Sequence, residues 1–288
     1  MKILDSVTAG MMRTIKSWKG ILIIWFVSIL LAGLLAIPMK ASLNAGLGSS
    51  AVTEKLNDGF DIEVFADLGN LFKSLGSHFS KGLILIMIVV FITNSFLSGG
   101  MFNSLRGSQG KFYLSEFFRT SSARFWSFFF ISLLLSLIIL LLAIIIIVVP
   151  LTIIFSSEGI SEAGAYKTGF AVIALFTLIL TAVMSIADYA RAWQVVNDAN
   201  DSLRAIGFGF RHTFRTFSSS FPLMLILLAV QLFFVWLVFQ IITPIKPQSG
   251  VGIIFLFLIS QFLYFIRLLL KTWRYGSMTA MMEKSGKG

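Results

Sequence analysis

Residues 118–150 read FRTSSARFWSFFFISLLLSLIILLLAIIIIVVP: a basic, aromatic approach at Phe118-Arg119-Thr120, an unbroken apolar run, and a close at Val148-Val149-Pro150. The run 125–149 carries no charge and is long enough to cross the roughly 30 Å of hydrocarbon in a bilayer. Its apolar residues are continuous rather than alternating, so it reads as a helix and not as a barrel strand. The same design occurs twice more. Met12-Arg13-Thr14 leads into the apolar run 20–37, closed by Pro38, and Phe214-Arg215-Thr216 leads into 221–243, closed by Pro244. The Arg-Thr pairs start 106 and then 96 residues apart, which predicts an internal repeat of about 100 residues. The repeat units are approximately 1–107, 108–200 and 201–288.

Each unit is expected to hold an amphipathic helix on the membrane surface, a crossing, a proline stop, an outer loop and a returning crossing. The returning runs are 82–98, 169–189 and 251–270. The expected fold is therefore all-α: a polytopic membrane protein with six transmembrane helices as three hairpins, forming a single membrane domain over 1–288. Composition agrees with this reading. Hydrophobic residues make up 57% and charged residues 12%, about half the charged share of a soluble domain.

The chain has no cysteine and two histidines, His78 and His212. That excludes a disulfide framework and thiolate or multi-histidine metal sites, and no cofactor is expected. The net charge of +10 raises nucleic acid as a partner, but no soluble basic domain exists to carry it. With the N-terminus cytoplasmic, seventeen of the 23 Lys and Arg fall in inner segments and six in outer ones. This positive-inside bias puts both termini in the cytoplasm, in what is expected to be a bacterial inner membrane. Ile21–Ile37 reads as a retained first helix rather than a signal peptide, because the same block recurs inside the chain.

Along residues 1–19, Leu4, Val7, Met11, Ile15 and Trp18 form one apolar stripe, with Lys2, Arg13, Lys16 and Lys19 available for lipid phosphates. Pro38 is expected to end the first crossing and Pro150 the third. In the outer amphipathic loop 39–81, Phe65, Leu68, Phe72, Leu75 and Phe79 recur at helical spacing after an acidic stretch. This predicts a helix lying on the outer leaflet, or one that binds a partner. Asn197 to Ser202 reads as a turn and N-cap cluster opening the third surface helix. The tail beyond Met282 reads as disordered.

Six helices in three repeats invite comparison with the mitochondrial carriers, but Pro38, Pro150 and Pro244 are not followed by the acid that family requires, which excludes it. The passage Ala187-Asp188-Tyr189-Ala190-Arg191, through Asp201-Ser202-Leu203-Arg204-Ala205, to Phe210-Arg211 resembles bacterial six-helix integral membrane proteins of poorly known function. Among these are relatives of the membrane domain attached to some glycerophosphodiester phosphodiesterases. The resemblance covers the middle third of the chain. No phosphodiesterase catalytic domain is present, so it does not imply that activity.

Intramembrane catalysis needs titratable groups that face one another. The sequence holds no His-Glu-x-x-His, no acids paired across two helices and no aspartate cluster. An enzyme is not expected. Asp188, the one acid near a crossing, reads as a structural partner of Arg191 or Arg267, although an ionisable group at membrane depth is a functional candidate by default. Hydroxyls and amides within the crossings serve helix–helix bonding as well as solute contact. The leading expectation is a non-catalytic scaffold or accessory subunit of a membrane complex, touching anionic lipid through Arg13, Arg119, Arg211 and Arg215. The alternative is a transporter or flippase-like carrier of an apolar or amphiphilic solute, with Asn94, Asp188, Gln231 and Arg267 in a cavity between hairpins.

Overall fold

The computed structural model describes residues 3–47, 69–106, 112–156, 162–245 and 249–285. Every regular element among them is helical. In chain order these are α1 (Ile3–Lys16), α2 (Trp18–Leu47), α3 (Gly69–Ser104), α4 (Leu114–Ala123) and α5 (Phe125–Ala143). A π-helical turn (Ile144–Val148) joins α5 to α6 (Val149–Ser156); α7 (Glu162–Val196), α8 (Ser202–Arg215), α9 (Phe217–Ile242) and α10 (Gly250–Ser285) follow. Five stretches among the described residues are long and apolar enough to cross a membrane: Ile84–Ser104, Phe125–Ile153, Tyr166–Val196, Phe217–Ile242 and Gly250–Lys284. A sixth is reached if the bent pair Leu4–Lys16 and Trp18–Leu34 counts as one span. The chain is an all-helical, multi-pass membrane protein.

Two of the three proline stops do not act as stops. Helix α2 runs through Pro38 to Leu47. At Pro150 the hydrogen-bond ladder widens over Ile144–Val148, with the Val149 N–H donating to the Ile144 carbonyl, and helix resumes to Ser156. Pro150 then lies in the first turn of α6, where a missing N–H costs least. Only Pro244 follows a helix end, at Ile242. The predicted outer-leaflet helix is likewise corrected: α3 is continuous from Gly69 into the crossing, so Phe72, Leu75 and Phe79 belong to the same helix as the span. Phe65, Leu68 and the side chains of those three lie outside the described residues. The tail is ordered helix to Ser285, with Met281 and Met282 buried.

Contacts divide the chain into two compact units, one of Ile23–Asn94 and one of Met1–Leu22 with Ser95–Gly288. In the first, the described side chains are mainly apolar and open; Phe26, Leu30, Leu34, Leu85 and Ile88 are exposed. Ser28 satisfies its hydroxyl on its own helix, donating to the Ile24 carbonyl at 2.7 Å.

The larger unit buries its core at one end of its helices. There the buried residues are Met101 and Phe102 of α3, Phe117 of α4, Phe128 and Ile131 of α5, Tyr189 and Ala190 of α7, Leu223 of α9 and Met278 of α10. Each short helix docks at this end through a glycine. The Gly10 face of α1 lies against Gly276 and Ser277 of α10, and a Cβ at Gly276 would sit 2.8 Å from the Gly10 carbonyl oxygen. Gly100 of α3 lies against Phe117 and Ser121 of α4, where its N–H donates to the Ser121 hydroxyl at 3.0 Å. Gly209 of α8 lies against the Ile186 carbonyl and Ala190 of α7. Absent side chains let the backbones approach closely enough for dispersion and hydrogen bonds to hold the helices where lipid tails compete equally for apolar contact.

Candidate functional site

Three neighbouring residues of α7 tie the docked end together. Asp188, fully buried, accepts from Arg274 Nε of α10 at 2.9 Å and lies 3.7 Å from Arg191 one turn on. Arg274 also sits over the Tyr275 ring at 5.2 Å, and its Nη1 lies 3.6 Å from the Met184 sulfur. A planar guanidinium can make these contacts at once in a way that an ammonium cannot. Tyr189 donates its hydroxyl to the Met281 sulfur at 3.2 Å and meets the His212 ring of α8 edge-on at 4.6 Å. Arg191 donates to the Ser132 hydroxyl of α5 at 2.9 Å. Positions 188, 189 and 191 thus reach α10, α8 and α5.

The expected partner of Asp188 is corrected in part. Arg191 is near it, but the close ion pair is with Arg274, and Arg267 is exposed, seven residues earlier on α10. Arg274 is the residue that sequence reading missed. Its only signal was an Arg among the cations at the end of the last run.

A second knot closes the α7–α8 connection. Arg124, between α4 and α5, donates to the carbonyls of Gln194 at 2.6 Å and Ala199 at 2.8 Å and pairs with Asp198. It thereby clamps the turn after α7, where the Gln194 carbonyl also accepts from the Ala199 N–H at 3.0 Å. Asp198 takes the left-handed turn conformation, at φ 53°, which Asp tolerates better than most residues. Burial lowers the Arg124 pKa against the opposing pull of Asp198, but a guanidinium stays charged throughout the working range. Ser127 donates to the Asn200 carbonyl at 2.8 Å, and Asp201 caps α8 by accepting from the Arg204 N–H at 3.1 Å. His212 is stacked on Phe208 and buried, and burial, followed by Arg215, lowers its pKa.

Beside this knot lies an open groove of about 550 Å³. Phe130, Leu133, Leu134 and Leu137 of α5 form one wall and Leu203 and Ile206 of α8 the other, with Asn200, Asp201 and Ser202 at one end. None of the four cavity candidates lines it. Asn94 belongs to the smaller unit, Asp188 is buried in its ion pair, Gln231 donates to the Leu270 carbonyl at 3.4 Å, and Arg267 is exposed. Many in-span hydroxyls bond back to their own helix, as Thr181 does to Thr177 and Ser185 to Thr181.

Of the four arginines expected at lipid headgroups, Arg119, Arg211 and Arg215 are exposed. Arg119 pairs with Glu116 one turn away, a solvated contact that adds little stability. Arg13 is committed elsewhere, donating to the Leu105 carbonyl at 3.2 Å and to Glu283 at 2.8 Å. Around these cations the short helices leave apolar groups open: Leu4, Met11, Met12, Ile15 and Trp18 near α1, Tyr113, Leu114 and Phe118 near α4, and Leu203, Phe210, Phe214 and Phe217 near α8. Among the described residues no group of His, Cys, Asp or Glu is placed to hold a metal ion. Comparison with family models, with curated proteins and with solved structures finds no match to this chain.

Proposed function

We propose that this chain works by binding rather than catalysis, as a scaffold or accessory subunit of a membrane complex. In this reading α1, α4 and α8 lie in the headgroup layer of the cytoplasmic leaflet of a bacterial inner membrane, with both termini on that side. The observation that carries it is the pairing, on or directly beside each of the three short helices, of open aromatic or aliphatic groups with open cations. Lys16 and Lys19 stand with Trp18, Arg119 with Phe118, and Arg211 and Arg215 with Phe210 and Phe214. Such surfaces suit a layer that is apolar below and anionic above. Asp188, Arg274 and Arg13 are meanwhile spent on internal ion pairs, which supports a structural rather than a transporting role for them.

The threefold repeat belongs to the same reading. Each short helix docks on the last long helix of the preceding unit: α4 on α3, α8 on α7 and, completing the cycle, α1 on α10. The Arg-Thr pairs occupy different places relative to the breaks between helices. Arg13 lies four residues before Ser17 and Arg119 five before Arg124, whereas Arg215 directly precedes Thr216. The docking contacts are therefore the better repeat marker.

The test is to neutralise Lys16, Lys19, Arg119, Arg211 and Arg215 with Gln in the full chain and measure binding to vesicles containing anionic phospholipid. Each cation near a charged leaflet contributes about 1 kcal/mol, so the variant should lose most of its anionic-lipid retention and co-purifying partner while melting as the parent does. Unchanged retention and partner binding would overturn the reading.

A further inference from the structure

We propose that the groove between α5 and α8 seats the head-proximal part of one acyl chain of a zwitterionic phospholipid bearing a primary amine. Its phosphate lies toward Arg204 and its amine toward Asp201. The inference rests on the membrane reading above but not on the basic-helix contacts.

The walls select a chain. Phe130, Leu133, Leu134 and Leu137 lie along two turns at the start of a membrane span, a length of about 10 Å. Phe130 and Leu137 are more than half exposed, so hydrocarbon rather than protein meets them. The volume of about 550 Å³ falls in the range of roughly 300–1,000 Å³ typical of small-molecule sites. Polarity is confined to one end, as an amphiphile requires.

The rim selects the head. Asp201 lines the groove, and Arg204, one turn on along α8 and outside that lining, holds its Nε 3.2 Å from Asp201 Oδ2 with its side chain 82% exposed. An adjacent anion and cation match a head that carries both charges. A purely anionic head could pair with Arg204 but would bring no cation to the Asp201 carboxylate. That carboxylate accepts from the Arg204 N–H and forms an ion pair with Nε, and it keeps acceptor capacity for an ammonium. A primary amine can donate to it, and a quaternary amine cannot.

The experiment titrates the delipidated full chain in detergent with three phospholipids of identical acyl chains, carrying ethanolamine, choline or glycerol heads. Native mass spectrometry counts the lipid retained. One ethanolamine lipid should be held roughly tenfold more tightly than the choline lipid and, once the five surface cations are neutralised, than the glycerol lipid, the worth of one charge-assisted hydrogen bond. Asp201→Ser keeps a capping oxygen for α8 and should erase that preference. Leu134→Trp, or Leu137→Trp if the first fails to fold, should fill the groove and lose the lipid. Equal retention of the ethanolamine and choline lipids, a preference that survives Asp201→Ser, or a lipid count unchanged by the tryptophan overturns the proposal. Neutralising the five surface cations should remove anionic lipid and leave this one bound. Loss of both with the fold intact would assign the lipid to the cationic surface and likewise overturn it.

Discussion

The docked end of the larger unit and the shafts of the same helices obey different packing rules. On α7, residues 185–190 are all buried and include Ser185, Asp188 and Tyr189, whereas Phe170, Ile173, Leu175 and Leu178 on the same helix are exposed. On α10, Tyr275 to Met282 are buried, whereas Val251, Ile253, Ile254 and Phe255 are exposed. In water this would be an inside-out protein. In a bilayer the hydrophobic effect gives apolar side chains no reason to leave the lipid, so helices associate where small residues admit a backbone and polar groups find partners. The most apolar residues form the solvent-facing surface, and the mixed, glycine-bearing segments form the core.

The sharpest way to break that comparison is Asp188→Ala, which leaves Arg274 buried without its carboxylate. Removing one partner of a buried pair costs about 3–5 kcal/mol, and thermal unfolding in nanodiscs should register a loss of that order. A melting temperature near the parent's would mean that the docked end is wet and loosely held.

Glycine substitutions sharpen the contrast. A Cβ at Gly209 would overlap the Ile186 carbonyl, so Gly209→Ala should destabilise by about 1–3 kcal/mol, the cost of overpacking. Gly169, on the shaft of α7, has nothing within 4 Å of its Cβ position. There the same change should be neutral or stabilise by up to about 1 kcal/mol through helix propensity. Equal effects at the two sites would deny the difference between the regions.

His212 gives the docked end a pH dependence that the shafts lack. Its pKa is lowered in the folded chain by burial and by Arg215, so near and below the ordinary value of 6.5 the unfolded chain binds more protons. Stability should be full above that value and fall as the pH drops through it. His212→Gln should flatten this part of the profile, measured as melting temperature from pH 8 to 5. The smallest effect is expected on the shafts, where Leu140→Ala removes an exposed side chain and should change folding stability by less than about 0.5 kcal/mol.

The helices and their apolar runs were legible because hydropathy is a property of contiguous residues. Asp188 was legible as a structural acid, and Asp201 as part of a capping cluster, because each stood out locally. Pro38 and Pro150 misled because a proline removes one hydrogen bond, and a helix held by its other contacts, or widened by a π-turn, can absorb that loss. Arg274 was not legible: it lies 86 residues from Asp188, and Arg267 and Lys271 stand within two turns of it on α10. The rotation of α10 about its axis chooses among these cations, and local pattern does not report that rotation.

That this chain is helical, apolar and multi-pass, and where five of its spans lie, could be read from hydropathy alone, because burial in lipid is decided stretch by stretch. Only the tertiary structure decided which short helix docks on which long one, which arginine Asp188 holds, and that a groove opens beside Asp201. Those outcomes depend on backbone approach at Gly10, Gly100, Gly209 and Gly276, where close fit between distant segments, rather than hydrophobicity, supplies the energy.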